Sequence, residues 1–156
     1  QPMQWITLTF GQLSTRQLYD LLRLRTDVFV VEQNCPYPEL DGHDLHPDTR
    51  HVLGYRDDKM TAYARILPAG LTYPEISIGR VVTANTERGN GCGNALVHYA
   101  ILEAHNTWPQ APITIGAQYH LREFYRRHGF KEISEQYLED GIPHIDMRKT
   151  DAKTAA

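Results

Sequence analysis

The sequence predicts a mixed α/β (α+β) domain built on one continuous sheet. Three observations carry that reading. Runs of strand-like alternation are interleaved with runs of helical period. They follow the order strand, helix, three strands, helix, strand, helix, two strands, a pattern that calls for helices packed on a sheet. No internal repeat, low-complexity tract or linker divides the 156 residues, so one domain is expected over 1–156.

The first strand is read around Trp5, Ile6, Leu8 and Phe10. Ser14 precedes Gln17 by three, the spacing of a capping box. Leu18, Leu21, Leu22, Val28 and Phe29 then continue an amphipathic helix over 15–30. Asn34 to Arg50 is rich in turn residues and reads as a long loop or a broken second helix, a length more often functional than idle. His51–Arg56 and Met60–Leu67 flank Asp57-Asp58-Lys59 as a hairpin. After a turn over Ala69–Pro74, Ile76, Ile78, Val81 and Val82 mark a third strand, running to about Thr83. Leu96, Val97, Ala100, Ile101 and Ala104 form a helical stripe that must end before Trp108-Pro109. Ile113 and Ile115 alternate in a further strand. Leu121, Phe124, Tyr125 and His128 fall at i, i+3, i+4 and i+7, with Gly129 placed as a C′ glycine. Phe130–Leu138 and Pro143–Lys149 read as two closing strands around Asp140-Gly141, and 151–156 as a frayed tail.

Hydrophobic residues make up 41% and charged residues 22%, which argues against wholesale disorder. A net charge of −3 argues against a general nucleic-acid binder. No apolar run approaches the ~20 residues of a membrane helix, and Gln1-Pro2-Met3-Gln4 lacks the basic and apolar regions of a signal peptide. Cys35 and Cys92, the two cysteines, form neither a disulfide framework nor a metal-type spacing. A soluble, cytoplasmic chain is expected, with no membrane and no nucleic-acid partner.

The strongest chemical signal is a strand, a glycine-rich turn (Arg88-Gly-Asn-Gly-Cys-Gly93) and a helix. A helix start leaves N–H groups unpaired and carries positive partial charge, which suits phosphate. A tight turn alone would also explain the glycines. The turn is not a P-loop, because no Lys-Ser/Thr follows its last glycine, and it fits the dinucleotide fingerprint poorly. Arg88-x-x-Gly91-x-Gly93 resembles the pyrophosphate loop of the GNAT superfamily of N-acetyltransferases. Phe124-Tyr125-x-x-x-Gly129-Phe130 is similar to that superfamily's later motif. A closer resemblance runs through Val28–Tyr37, Asp41-Gly42-x-Asp44, Arg50–Gly54, Ile78–Val81, Gly116–Gln118 and Glu139–Ile145. These segments look like the bacterial ElaA-type branch.

The resemblance implies a GNAT acyl-CoA acyltransferase fold and acetyl-CoA as co-substrate; no metal is expected, since the Pro-rich loop carrying Asp41–His46 gives a metal site little scaffold or second shell. Carried over residue by residue, Gly89, Asn90, Gly91, Cys92, Gly93 and Asn94 would hold the pyrophosphate, with Arg88 beside it. Val81, Val82 and Thr83 would pair with the pantetheine arm, on a bulged strand that splays from Ile113–Ala117. A backbone N–H near Val82 would polarise the acetyl carbonyl. Gln118 stands where the superfamily often has Asn, and Leu121 where it often has Ala. Tyr125 matches the general acid that protonates the departing thiolate, although it also lies on the apolar stripe of its helix. For the base, Glu32 and His120 are candidates, among polar residues near strand or loop ends that include His51, Glu75, Arg80 and His144. Arg80 is assigned a structural ion pair. The helix start acting on Cys92 would lower its thiol pKa, with packing as the default role. Cys35 reads as a small buried apolar group.

The expected activity is direct acetyl transfer to a primary amine on a small molecule, peptide or protein lysine. The acceptor would be held by loops 34–50 and 69–74, the acidic stretch Glu39–Asp48 attracting a cationic amine. A non-catalytic acyl-CoA sensor on the same fold is the alternative. Metal-dependent hydrolysis through Asp41, His43, Asp44 and His46 is a third reading. An exposed strand edge near the C-terminus would allow a homodimer.

Overall fold

A computed structural model describes residues 2–150, so the tail expected over 151–156 lies outside the described residues. Eight strands form one sheet: β1 (Gln4–Leu8), β2 (Arg50–Arg56), β3 (Lys59–Leu67), β4 (Ile76–Thr83), β5 (Ile113–Gln118), β6 (Lys131–Glu132), β7 (Tyr137–Glu139) and β8 (Ile142–Lys149). The order is β1-β2-β3-β4-β5-β8-β6, with β7 also on β8. All pairings are antiparallel except β4 with β5. The helices are α1 (Thr15–Arg25), α2 (Cys92–Thr107) and α3 (Arg122–Arg126). Among the described residues no helix is long and apolar enough to cross a membrane.

The sheet has an apolar layer on each face. Val52, Ala64, Ile66, Ile113, Ile115, Ile145 and Met147 pack with Leu96, Val97 and Ala100 of α2 and with Tyr125 and Phe130. On the other face Leu53, Met60, Tyr63 and Val82 pack with Leu21, Leu24 and Val28. Each face takes alternate residues of a strand: Val52 and Leu53 of β2 go to opposite layers, as the pleat requires. Because β3 lies between both layers, Met60 to Leu67 is buried throughout.

The capping box forms as expected. Gln17 N–H donates to Ser14 Oγ at 3.0 Å, and Ser14 N–H to Gln17 Oε1 at 2.8 Å. The single helix expected over 15–30 does not form. After Arg25 the chain widens into a π-helical segment, Thr26–Glu32. Its Thr and Val side chains are stiff at χ1 and, with Phe29, are poor α formers. Of the two readings of the turn-rich segment, the long loop is the one that forms: Asn34–Thr49 is loop with one 3₁₀ turn, His43–Leu45. The strand expected over 130–138 is split in two. Ile133 N–H donates to the Asp146 carbonyl and Asp146 N–H to Ser134 Oγ, both at 2.9 Å, so the chain loops out around Asp146. α3 ends as the C′ glycine demands: Gly129 has φ 95°, and Phe130 N–H reaches back to the Tyr125 carbonyl at 3.2 Å.

Candidate functional site

β4 and β5 run side by side only at Ile76/Ile113 and Ser77/Thr114, then separate. A bulge in β4 accompanies the separation. Tyr63 pairs with Val82 and Arg65 with Gly79, so one residue of β3 faces two of β4. Arg80 takes φ 50° there. The extra residue reverses the alternation. Ile76 and Ile78 face the α2 layer, Val81 packs against that same layer, and Val82 joins the α1 layer. The broken spacing Ile76, Ile78, Val81 is the sequence trace of the bulge.

Between the parted strands lies a cleft of about 510 Å³. Ile78–Thr83 form one wall and Ile115–Gln118 the other, with Tyr125 also lining it. The π-helical segment adds Val28, Phe29 and Glu32, and the β7–β8 hairpin adds Glu139 of β7, Asp140 of its turn and His144 of β8. π-helical turns are frequent at functional sites.

The glycine turn borders this cleft through Arg88. Gly89 and Gly91 have φ 84° and 85°, a region other residues enter only with strain. Gly91 caps α2. Cys92 N–H donates to Asn90 Oδ1 at 3.1 Å. The amides of Gly89, Gly91, Gly93 and Asn94 have no acceptor among the described residues. Four unpaired N–H groups at the start of a sixteen-residue helix fit a pyrophosphate. Asn94 Oδ1 lies 3.0 Å from His128 Nε2, tying α2 to the end of α3. Cys92 is buried, and burial pushes its thiol up rather than down, overriding the helix start.

Arg88 and Glu32, placed on opposite sides of the expected chemistry, form an ion pair, both about two-fifths exposed. Arg88 Nη2 also reaches the Thr83 carbonyl at 3.3 Å. Gln118 Nε2 makes only a 3.4 Å contact with Gln33 Oε1. His120 is exposed at the rim. Tyr125 is 8% exposed, packed edge-on against Phe124 and Phe130, and its hydroxyl has no hydrogen-bond partner among the described residues. Burial pushes it up to about 12. It is therefore a neutral donor at physiological pH, not the closely matched acid that an ordinary tyrosine would be.

Three of the four carboxylates in the acidic loop are paired with arginines rather than free to attract a cation. Fully buried Arg25 donates from Nε to Glu39 Oε2 and from Nη1 to Asp44 Oδ1, both at 2.7 Å. Arg65 donates to Asp41 Oδ1 at 2.9 Å and Oδ2 at 2.8 Å, and to Asp44 at 3.2 Å. Arg80 donates to Glu39 Oε2 at 2.7 Å. Three guanidinium groups thus neutralise three carboxylates and pin the loop to β3 and β4. Burial alone would raise the Asp41 and Asp44 carboxyls, but the arginines outweigh it and both are held below the usual range. Arg80 has the structural role expected of it. Buried His51, its Nδ1 2.6 Å from Tyr63 Oη, is driven toward the neutral form by burial. The metal reading fails on the same geometry, since Asp41 and Asp44 are committed to arginines. No group of three metal-type ligands converges among the described residues. Arg25 does carry a sequence signal for this: it falls on the Leu18, Leu21, Val28 stripe, where a charge requires a buried partner.

Residues 28–151 match the family described as acetyltransferase (GNAT) domain, and the chain belongs to that family of acyltransferases. Within it the chain falls in the ElaA-like branch. It is 46% identical to Protein ElaA of Escherichia coli K12 over 147 residues, 94% of this chain and 96% of that one. The crystal structure of Escherichia coli ElaA superposes with a TM-score of 0.90, covering 95% of this chain and 99% of that one. An acyl-CoA N-acyltransferase from Pseudomonas aeruginosa superposes at 0.91 with 44% identity, covering 96% of this chain and all of that one. A relative from Schizosaccharomyces pombe is 39% identical over 94% of this chain and 96% of its own length, so the likeness extends beyond bacteria.

Proposed function

We propose that this chain, as one GNAT domain over 1–156, is an N-acetyltransferase that uses acetyl-CoA and acetylates a primary amine by direct transfer. The observation that carries this is the parting of β4 from β5 beside a helix start with four unpaired amides. The Pseudomonas aeruginosa relative's name, an acyl-CoA N-acyltransferase, supports the same class.

Acetyl-CoA supplies an activated acetyl thioester and a thiolate leaving group. In this reading the amides of Gly89, Gly91, Gly93 and Asn94 hold the pyrophosphate, with Asn90 and Cys92 completing the turn. Arg88 exchanges Glu32 for phosphate oxygens, a charge-assisted bond on either side. The free edge of β4 over Val81–Thr83 receives the pantetheine arm, and a backbone N–H near Val82 polarises the acetyl carbonyl. Tyr125, buried and unpartnered, gives its proton to the thiolate; its raised pKa keeps that proton in place until a thiolate forms beside it. Gln118 lines the opposite wall. The pinned 34–49 loop acts as a rigid wall on the acceptor side, and positioning of two substrates alone can contribute several kcal/mol.

The test is release of free thiol from acetyl-CoA in the presence of a primary-amine panel, with product mass confirming N-acetylation. Amine-dependent release supports the reading. Tight acetyl-CoA binding without release from any amine would favour the sensor instead.

A further inference from the structure

We propose that His144 is the residue that accepts the proton of the attacking amine, an inference that rests on the acetyltransferase reading above. His144 is 9% exposed and lines the same cleft as Val82 and Tyr125. It stands opposite Gln118 in the β5–β8 register, so it faces the parted end of β5. Its Nδ1 lies 2.7 Å from the Ile142 carbonyl, an acceptor only, so Nδ1 carries the hydrogen and Nε2 presents a lone pair. The ring is held by near-parallel stacking on Tyr137, 6.0 Å between centroids. Glu139 Oε2 lies 3.8 Å from Nε2, placed to stabilise an imidazolium once it forms.

The other two candidates lack these features. Glu32 is about two-fifths exposed, and its one partner, Arg88, is the group that turns to the phosphates; His120 is exposed with no hydrogen bond fixing its ring among the described residues. The charged and titratable groups around His144 are Tyr137, Glu139 and Asp140 on β7 and its turn, and Asp146 on its own strand. His120 follows β5; Tyr37, Arg80, Glu32 and Arg88 come from the other elements around the cleft, with Tyr125 on α3. Glu39 and Asp41 cancel Arg80, and with cofactor bound the phosphates take over Arg88 from Glu32. Glu139 is the charged group in contact with the ring.

In the step, the nitrogen lone pair of the neutral amine forms the C–N bond to the acetyl carbon, and its N–H proton passes to His144 Nε2. The C–S bond breaks with its electron pair on sulfur, and the thiolate takes the Tyr125 proton. The imidazolium proton returns to the tyrosinate through solvent, so amide and thiol are the only net products.

The test uses acetyl-CoA with spermidine, cadaverine and an Nα-blocked lysine, following thiol release by wild type and His144→Gln. For wild type, log kcat/KM should climb from acid pH with a slope near about two, one proton from the amine and one from the base. His144→Gln should lose about 100-fold near neutral pH and show a slope near about one, while binding acetyl-CoA within about twofold of wild type. A slower variant that keeps the wild-type slope would reduce His144 to packing and overturn the assignment. Independently of turnover, ¹⁵N NMR of the wild-type ring should show the Nδ1–H tautomer, and the Nε2–H tautomer would overturn the proposal. Wild-type failure with every amine, with that tautomer present, would overturn the transferase reading and the base with it.

Discussion

Arg25→Met asks how much of the fold depends on the guanidinium–carboxylate network. The methionine keeps much of the arginine's apolar stem but removes two 2.7 Å contacts, to Glu39 and Asp44, and leaves both carboxylates nine-tenths or more buried. Removing one partner of a buried pair typically costs about 3–5 kcal/mol. Here Arg80 still holds Glu39 at 2.7 Å and Arg65 still holds Asp44 at 3.2 Å, so the lower end, about 3 kcal/mol, is expected. For a chain of this size that corresponds to a Tm lower by roughly 6–12 °C. The pH dependence has a definite sign. The folded Asp44 carboxyl lies below its unfolded value, since Arg25 and Arg65 outweigh the burial that would raise it. Its contribution is therefore complete above the ordinary carboxylate range, about pH 4, and is lost as pH falls through the lower folded value. Without Arg25 that opposing charge is gone, and acid unfolding should begin at higher pH than in wild type. Urea titrations at pH 7 and melts from pH 7 down to pH 3 measure both quantities. A loss under about 1 kcal/mol, the scale of an exposed pair, with an unchanged acid midpoint, would show that the network contributes no more than a surface one.

Tyr125→Phe should cut turnover by about 100-fold and leave acetyl-CoA affinity nearly intact; an unchanged kcat would remove Tyr125 as the acid. Arg88→Ala should weaken acetyl-CoA about tenfold, the scale of one charge-assisted bond, whereas Glu32→Gln should tighten it slightly by freeing Arg88; calorimetry on both checks the exchange. Gly91→Val forces a β-branched residue to φ 85° and should weaken cofactor binding further than Arg88→Ala. Cys92 should react with a thiol reagent far more slowly in the folded protein than in urea, and equal rates would contradict its burial.

Much of the fold was legible because local rules and burial agree. The Ser14 capping box, the 3.6-residue stripe of α2 and the Gly129 cap are short-range features, and each forms as its residues dictate. The failures arise where long-range contacts override local preference. Residues 26–32 carry a helical apolar stripe, yet their β-branched side chains and their place on the cleft favour a wider π turn. Ile133–Gln136 looks like strand, but Ser134 is drawn out to meet the Asp146 amide, twelve residues away. The site shows the same division. The glycine turn was visible because an unpaired helix start needs only local sequence. The neutralisation of Glu39, Asp41 and Asp44 was not legible because their partners, Arg25, Arg65 and Arg80, come from three different elements. The His144 tautomer depends on a carbonyl two residues away whose direction only the turn geometry fixes.

The most direct measurement is a CoA titration followed by backbone amide NMR. The largest perturbations are expected at Gly89, Gly91, Gly93 and Asn94, whose N–H groups have no acceptor among the described residues, and along Val81–Thr83 on the free edge of β4. Saturable binding that leaves those amides unmoved, with shifts instead in the groove between α1 and Asp58–Lys59, would contradict a CoA site between β4 and β5.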